Sequence, residues 1–494
     1  MSKKKKSNDK IWISFISNSR DDVCGSSVLV SYPTPNEEKE RGAILCDCGI
    51  VQGSMSPEIE YSSNKKVMEN VPLEELSAVF ISHAHADHSC GIPIFGSDKF
   101  NGSIIMDYET SIIAKDLNKD SVYLHDCLIK NLQSKGKRCK HIFSETEMYK
   151  AFDKIKVAEK HIKYKLNDFV SYEFYESGHC LGSQIKLYIT MPNKQIKTIV
   201  YTGDLSSSYN AKYKPYNELM EIIPKANCYI FESTYGASDG REFNKKLVER
   251  EIKELKSKLT DALKNGKRVF IPCFSFARTE EILTLIWSMF KDEKWFNDLQ
   301  VPIWVDGKLT NKIVERYSQL MKDEKSELWE SVKNWSHVRY NKEYKGTEAL
   351  ISARKSGIYI SSSGFIQPKT RSCEYVKSFL GSENAMILFV GYSGGENSVA
   401  WNIINSPKGK PINIDGTTLI KSCDVYQFFG FSSHIQGQEI INYFKQITTD
   451  KILLHHGSTE SKEQLIKNGT EELMKIGITT RISGADRYHS TFSL

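Results

Sequence analysis

The chain has 494 residues, 67 Lys and Arg against 61 Asp and Glu for a net charge of +6, 40% apolar residues and a mean hydropathy of −0.42. That length exceeds one ordinary core and predicts two or three domains, and no apolar run approaches the roughly 20 residues that span a bilayer. The start, MSKKKKSNDK, lacks the apolar stretch of a signal peptide, the eleven cysteines show no regular spacing, and the charge excess is too small to establish nucleic-acid binding. A cytoplasmic protein with reduced thiols is expected, with residues 1–10 a disordered basic tail.

In chain order, short β-branched runs end at coordinating side chains. AILC (43–46) is followed by Asp47 and AVFIS (78–82) by His83; TIVYTG (198–203) leads to Asp204, CYIF (228–231) to Glu232 and ILLH (452–455) to His456. Such runs predict strands, and ligands of α/β sheets collect just outside strand ends. One sheet edge lined with metal-type groups is therefore expected.

The densest group is SHAHADHSCG (82–91), which holds His83, His85, Asp87 and His88 within six residues. Imidazole and carboxylate suit a first-row metal such as zinc. Alternating residues of an extended loop point the same way, so His83 and His85 can share one ion. Asp87 and His88, adjacent at a helix start, diverge enough to face a second. ESGHCLGS (176–183) adds His179 in a glycine-flanked turn, although alone it reads as turn chemistry. The basic stretch KNLQSKGKRCK (130–140) reads first as a solvated loop and only second as an RNA contact. Of twelve histidines, His125, His141, His161, His337, His455 and His489 have no such context and are read as structural or exposed.

Between Glu232 and His434 the pattern changes. RVFIPCF (268–274), VPIWVDG (301–307), SGIYISS (356–362) and MILFVGY (386–392) predict strands; EEILTLIWSMF (280–290) and NKIVERYSQLM (311–321) predict amphipathic helices. Their alternation predicts a parallel sheet flanked by helices.

HxHxDH, then GHxLGS, then TGD resembles the metallo-β-lactamase fold. FESTYG (231–236), FSSHIQG (431–437) and LLHHGS (453–458) narrow the resemblance to its β-CASP ribonucleases, such as RNase J and the endonuclease subunit of the cleavage and polyadenylation complex. GIPIFGSDKFNG (91–102), IPCFSFARTEEIL (271–283) and SSSGFIQ (361–367) are similar as well, so the resemblance covers nearly the whole chain. It implies an α/β fold: a metallo-β-lactamase αββα sandwich from residues 11–236 and 430–494, with a β-CASP α/β domain inserted over 237–429. A minimal two-domain unit is expected.

The resemblance also implies roles. His83, His85 and His179 would hold one Zn²⁺ and Asp87, His88 and His456 a second, with Asp204 bridging. Asp47 would support ligand geometry, and Glu232 with His434 would handle the leaving group. His455 would be a packed neighbour. Ser363 and Gly364, in SSSG (361–364), resemble a loop whose main-chain N–H groups approach phosphate. Arg278 reads equally as a phosphate contact or a surface arginine. Two stretches depart from the family pattern, GYSGGENSVA (391–400) and FSSHIQG with Gln436 where an acid is common; neither removes a metal ligand. The implied activity is a zinc-dependent ribonuclease on single-stranded RNA, leaving 5′-phosphate and 3′-hydroxyl ends, by internal or 5′-to-3′ cutting. Other RNA-processing proteins and a homodimer stay open as partners. The alternatives are a DNA nuclease of the same fold, a small-molecule hydrolase, and a catalytically inactive RNA-binding subunit of a processing complex.

Overall fold

In the computed structural model, residues 9–17, 25–34, 41–52, 56–207, 219–237, 245–391, 394, 398–486 and 490–494 are described, and their strands form three large sheets and a two-stranded hairpin, Pro411–Ile414 with Thr417–Ile420. The basic start up to residue 8, His489 and most of 392–397 lie outside them. Two mixed sheets of seven strands face one another. The first runs Thr491–Ser493, Trp12–Phe15, Val28–Pro33, Arg41–Cys46, Leu76–Phe80, Ser103–Asp107, Ile155–Ala158. The second runs Arg481–Gly484, Lys451–His455, Cys228–Glu232, Ile196–Tyr201, Ser183–Thr190, Val170–Glu176, Tyr164–Lys165. Phe15, Phe80, Phe174, Leu187, Tyr201 and Leu453 fill the layer between them.

The third sheet has six strands, all parallel: Val338–Asn341, Ile303–Asp306, Gly357–Ser361, Arg268–Pro272, Ala385–Val390, Asp424–Phe428. Ala385–Val390 and Gly357–Ser361 are buried at every position, as parallel strands covered on both faces must be. By contrast, Val170–Glu176 in the second sheet buries mainly alternate residues. The architecture is therefore the α/β sandwich with an inserted parallel-sheet domain that the motifs imply.

Chain pairing brings the distant motifs together. Cys228–Glu232 and Lys451–His455 are neighbouring parallel strands with Glu232 opposite His455, so the end of the chain returns beside a strand more than two hundred residues earlier. Asp47, His83, Asp204, Glu232 and His456 all fall at or just past the carboxyl ends of parallel strands, where open α/β sheets place their ligands.

The basic stretch 130–140 differs from the loop reading. Its first half continues the long helix Tyr108–Ser134. Ile129 and Leu132 anchor that last turn on the core, and apolar burial on one face outweighs the breaker-rich composition. All ten described cysteines are free thiols, and no described helix is long and apolar enough to cross a membrane.

The same helix ties the two units together. Buried Asp116 accepts hydrogen bonds from Lys312 Nζ and Arg316 Nε of the helix Lys308–Leu320, each at 2.7 Å. Both cations are partly exposed, which weakens the pairs relative to buried ones. Asp116→Ala is expected to cost about 1–2 kcal/mol, read as a lower denaturant midpoint together with faster limited proteolysis at the junction. An unchanged midpoint and cleavage pattern would contradict this clamp.

Candidate metal centre

The site is built on two non-glycine residues held in the left-handed region, Asp47 (φ 59°) and His456 (φ 53°). Such a backbone costs about 1–3 kcal/mol per residue and persists only where surroundings over-determine it. They do so here. Asp47 is fully buried and accepts four hydrogen bonds: from Ser82 N and Ser82 Oγ at 2.7 Å, Tyr201 Oη at 2.7 Å and His88 Nδ1 at 2.6 Å. Close backbone approach explains the glycines beside both residues. A Cβ on Gly49 would sit 1.6 Å from the Asp87 carbonyl oxygen, and one on Gly457 would sit 2.3 Å from that of Ser233.

Asp204 stands at the centre. Its Oδ2 lies 3.5 Å from His83 Nε2, 3.4 Å from His88 Nε2 and 3.6 Å from His179 Nε2, while Oδ1 lies 3.2 Å from His456 Nδ1. His83 Nε2 is 3.0 Å from His85 Nδ1. Asp87 Oδ2 is 3.4 Å from His456 Nε2 and 3.9 Å from His88 Nε2. The geometry therefore gathers His83, His85 and His179 in one group and Asp87, His88 and His456 in another, each with coordinating atoms within 4.8 Å of one another. Nearby carboxylate and carbonyl acceptors fix two of the rings. His88 donates from Nδ1 to Asp47, and His179 donates from Nδ1 to the Ser433 carbonyl at 3.3 Å. Both rings are thereby left with Nε2 toward Asp204, the orientation that partners behind metal-ligating histidines impose. His88 Nε2 is buried and in no well-formed hydrogen bond. The donor set, imidazoles around carboxylates, fits zinc.

Charge follows the same layout. Burial, reinforced by His88 for His83 and by His434 for His179, holds both imidazoles well below the ordinary histidine range; burial brings His85 down to about 4. Neutral imidazole is the form that binds a metal. Burial alone would raise Asp204, yet His456, His88 and His434 outweigh it and hold the carboxylate well below its usual range. His88 goes the other way: Asp204 and Asp87 outweigh burial and raise it well above the ordinary value.

Glu232 and His434 stand beside this cluster. His434 Nδ1 lies 3.1 and 3.3 Å from the Glu232 oxygens, and Glu232 Oε1 is pinned by Leu205 N at 2.6 Å. Burial opposes a charge on His434, but Glu232 and Asp204 outweigh it and raise the imidazole above its usual value. His455 is packed, as its place in the strand implies: fully buried, with its ring 5.5 Å from those of Phe15 and Tyr201.

Two cavities open onto the site from between the units. The inner one, about 150 Å³, is lined by His85, Asp87, His179, His434 and His456 on one side and by Phe274, Phe276 and Arg278 on the other. The outer cleft, about 840 Å³, carries Lys119, Lys308, Lys312, Lys369 and Arg371. Ser363 lines the outer cleft, with its hydroxyl accepting from Gln367 N at 3.1 Å, and Gly364 rests against the Phe274 ring, which a Cβ would approach to 3.2 Å. Arg278 is not a surface arginine. It is largely buried, paired with Glu281 at 3.0 Å, and donates to the Phe431 carbonyl.

Sequence reading missed Tyr201, the hydroxyl donor to Asp47, as well as Ser433 and Glu281 behind His179, because only tertiary folding brings them near. It also passed over Cys180, which falls in the group of His83, His85 and His179; its place next to His179 in GHCLG was the available signal.

Comparison with known proteins follows the same division. Residues 279–403 match the Beta-Casp domain, and residues 420–482 match the Zn-dependent metallo-hydrolase RNA specificity domain. The chain is 24% identical over 432 residues to the Endoribonuclease YSH1 of Saccharomyces cerevisiae, covering 85% of this chain and 52% of the yeast protein. It is 26% identical over 429 residues to the RNase J-like protein of Methanocaldococcus jannaschii (85% of this chain, 88% of that protein). It is 24% identical over 440 residues to RNase aCSPSF2 of Saccharolobus solfataricus (86% and 79%). The chain thus spans about half the length of the yeast endoribonuclease and most of the archaeal proteins. A crystal structure of a protein of unknown function from Enterococcus faecalis V583 shares the fold, with a TM-score of 0.54 at 13% identity over 98% of this chain and 100% of that one. With two matching domain models laid over the parallel sheet and the returning chain, and a histidine–aspartate cluster at the strand ends, residues 279–403 carry a Beta-Casp domain and the chain is similar to the β-CASP branch of the metallo-β-lactamase fold.

Proposed function

We propose that this protein is a zinc-dependent ribonuclease that hydrolyses phosphodiester bonds of single-stranded RNA to 5′-phosphate and 3′-hydroxyl ends. The observation that carries the reading is Asp204, whose two oxygens reach four histidines from three separate chain segments within 3.6 Å, beside the Glu232–His434 pair. His83, His85 and His179 would hold one ion and Asp87, His88 and His456 the other, with Asp204 between them. When bound, such a pair of ions supplies Lewis acidity to the phosphate and a water of lowered pKa.

The chain's own groups do the rest. Asp47 and the Ser433 carbonyl orient His88 and His179. Hydrolysis forms a new P–O bond to water and breaks the bond to the ribose O3′, which leaves with a proton. His434, kept protonated by Glu232, is placed to give that proton. Glu232 itself is held by Leu205 N, so the pair stays aimed while the substrate changes. Lys119, Lys308 and Lys369 of the outer cleft suit a polyanion, whereas Lys312 and Arg371 are paired with Asp116 and Asp306, and the RNA specificity match favours RNA over DNA. Of the residues read for substrate contact, Ser363 faces that cleft and Arg278 the inner cavity; Gly364 would offer main-chain groups near Phe274.

Two outcomes are expected. Labelled single-stranded RNA is cut to 5′-phosphate products, a chelator stops the cutting and added zinc restores it; cleavage of DNA but not RNA would overturn the substrate assignment, and RNA binding without cleavage would point to an inactive binding subunit. His434→Ala lowers kcat about 100- to 10,000-fold with metal content unchanged, and wild-type kcat in that variant would remove His434 from proton transfer.

A further inference from the structure

We propose that the inserted parallel-sheet unit sets the metal centre through one residue, Ser433, with Glu281 and Arg278 as positioning residues for His179 and His434. The proposal rests on the metal-centre reading above and concerns how that centre is assembled.

The stretch from Gly430 to His434 leaves the last strand of the parallel sheet, Asp424–Phe428, and enters the sandwich, where Ile435 N donates to the Leu205 carbonyl at 2.7 Å. Over those few residues the inserted unit grips it repeatedly. Gly430 N donates to Glu251 Oε2 at 2.6 Å, from the helix Lys245–Lys264. Arg278 and Glu281, both in the first turn of Arg278–Phe290, take the next contacts. Arg278 Nη1 donates to the Phe431 carbonyl, and Arg278 Nη2 lies 3.3 Å from Ser433 Oγ. Ser433 Oγ donates in turn to the Glu281 carboxylate, whose oxygens lie at 3.0 and 3.1 Å. Glu281 and Ser433 are both buried, at 6% and 5% exposure, so these charge-assisted bonds are not competing with bulk water.

The other side of Ser433 faces the metal centre. Its carbonyl accepts from His179 Nδ1 at 3.3 Å, and the next residue is His434. A carbonyl on Nδ1 fixes both the tautomer and the ring plane of a ligating histidine, and loss of such partners typically lowers metal affinity 10- to 100-fold. Side chain and main chain of one serine thus join a carboxylate of the inserted unit to a ligand of the sandwich. A shift of the inserted unit would rotate the Ser433 peptide, and with it His179 and His434. This gives Arg278 a use that neither sequence reading supplied: its guanidinium holds the loop that carries His434.

Cobalt(II) titration followed by its visible absorption tests this without reference to RNA cleavage, alongside steady-state kinetics on RNA. Glu281→Gln is expected to weaken one of the bound cobalt equivalents about 10-fold and to lower kcat while KM stays unchanged. Ser433→Ala, which keeps the carbonyl but frees its side chain, should give the same pattern, and the double variant should lose no more than either single one. Glu315→Gln, an exposed ion-pair partner of Lys333, serves as the control and should match the wild type. Wild-type cobalt binding in Glu281→Gln, or losses that simply add in the double variant, would overturn the proposal. If the wild-type protein binds cobalt but cuts no RNA, the ribonuclease reading fails while the cobalt arm still decides this one.

Discussion

Asp47, fully buried where the strand Arg41–Cys46 ends, accepts hydrogen bonds from a backbone N–H, two hydroxyls and the His88 imidazole. A buried carboxylate is tolerable only when its lone pairs are met, and these donors come from the first sheet's loop and from Tyr201 of the second sheet. One side chain therefore locks the two halves of the sandwich together where the coordinating residues emerge. Its left-handed backbone is the local cost of aiming it there. His88 then presents Nε2 to Asp204, and the rest of the cluster is arranged around that direction.

The cluster itself is an electrostatic arrangement set by which groups the fold brings together. Six imidazoles stand among the carboxylates of Asp47, Asp87, Asp204 and Glu232, and the charges sort themselves by position: His83, His85 and His179 are driven toward the neutral form by burial, while Asp204 is kept ionised by the histidines around it. Parallel pairing of Cys228–Glu232 with Lys451–His455 supplies the last piece, since it sets His456 beside Asp204 and Thr234. The inserted unit completes the enclosure from outside, with Phe276 and Arg278 facing the histidines across the inner cavity.

How much of this was legible in the sequence depends on the range of the interaction. Strand runs that stop at Asp47, His83, Asp204 and His456 were readable because a buried strand and its terminal ligand are contiguous, and four strands and two helices of the inserted unit were readable from period and length; the helix Lys245–Lys264 and the sheet-edge strands Val338–Asn341 and Asp424–Phe428 were not. The end of the helix Tyr108–Ser134 read as a loop because of the basic, glycine-containing stretch at 130–140, since composition cannot report that Ile129 and Leu132 find a core. Arg278 looked like a surface or phosphate-facing group because its partners, the Phe431 carbonyl and Glu281, include one 153 residues away. Tyr201, Ser433 and Glu281 carry no motif at all; they act by distance and direction, which only the folded chain supplies. The roles of the coordinating residues came from the family resemblance, whereas their convergence on Asp204 is a property of the fold.

In the proposed centre these separated segments form a cage for a pair of ions. Elemental analysis of the purified protein tests it most directly: about two equivalents of zinc per chain are predicted, with Asp204→Ala losing most of that content while the fold, followed by circular dichroism, persists. Less than one equivalent of any transition metal in the wild-type protein after reconstitution would contradict it.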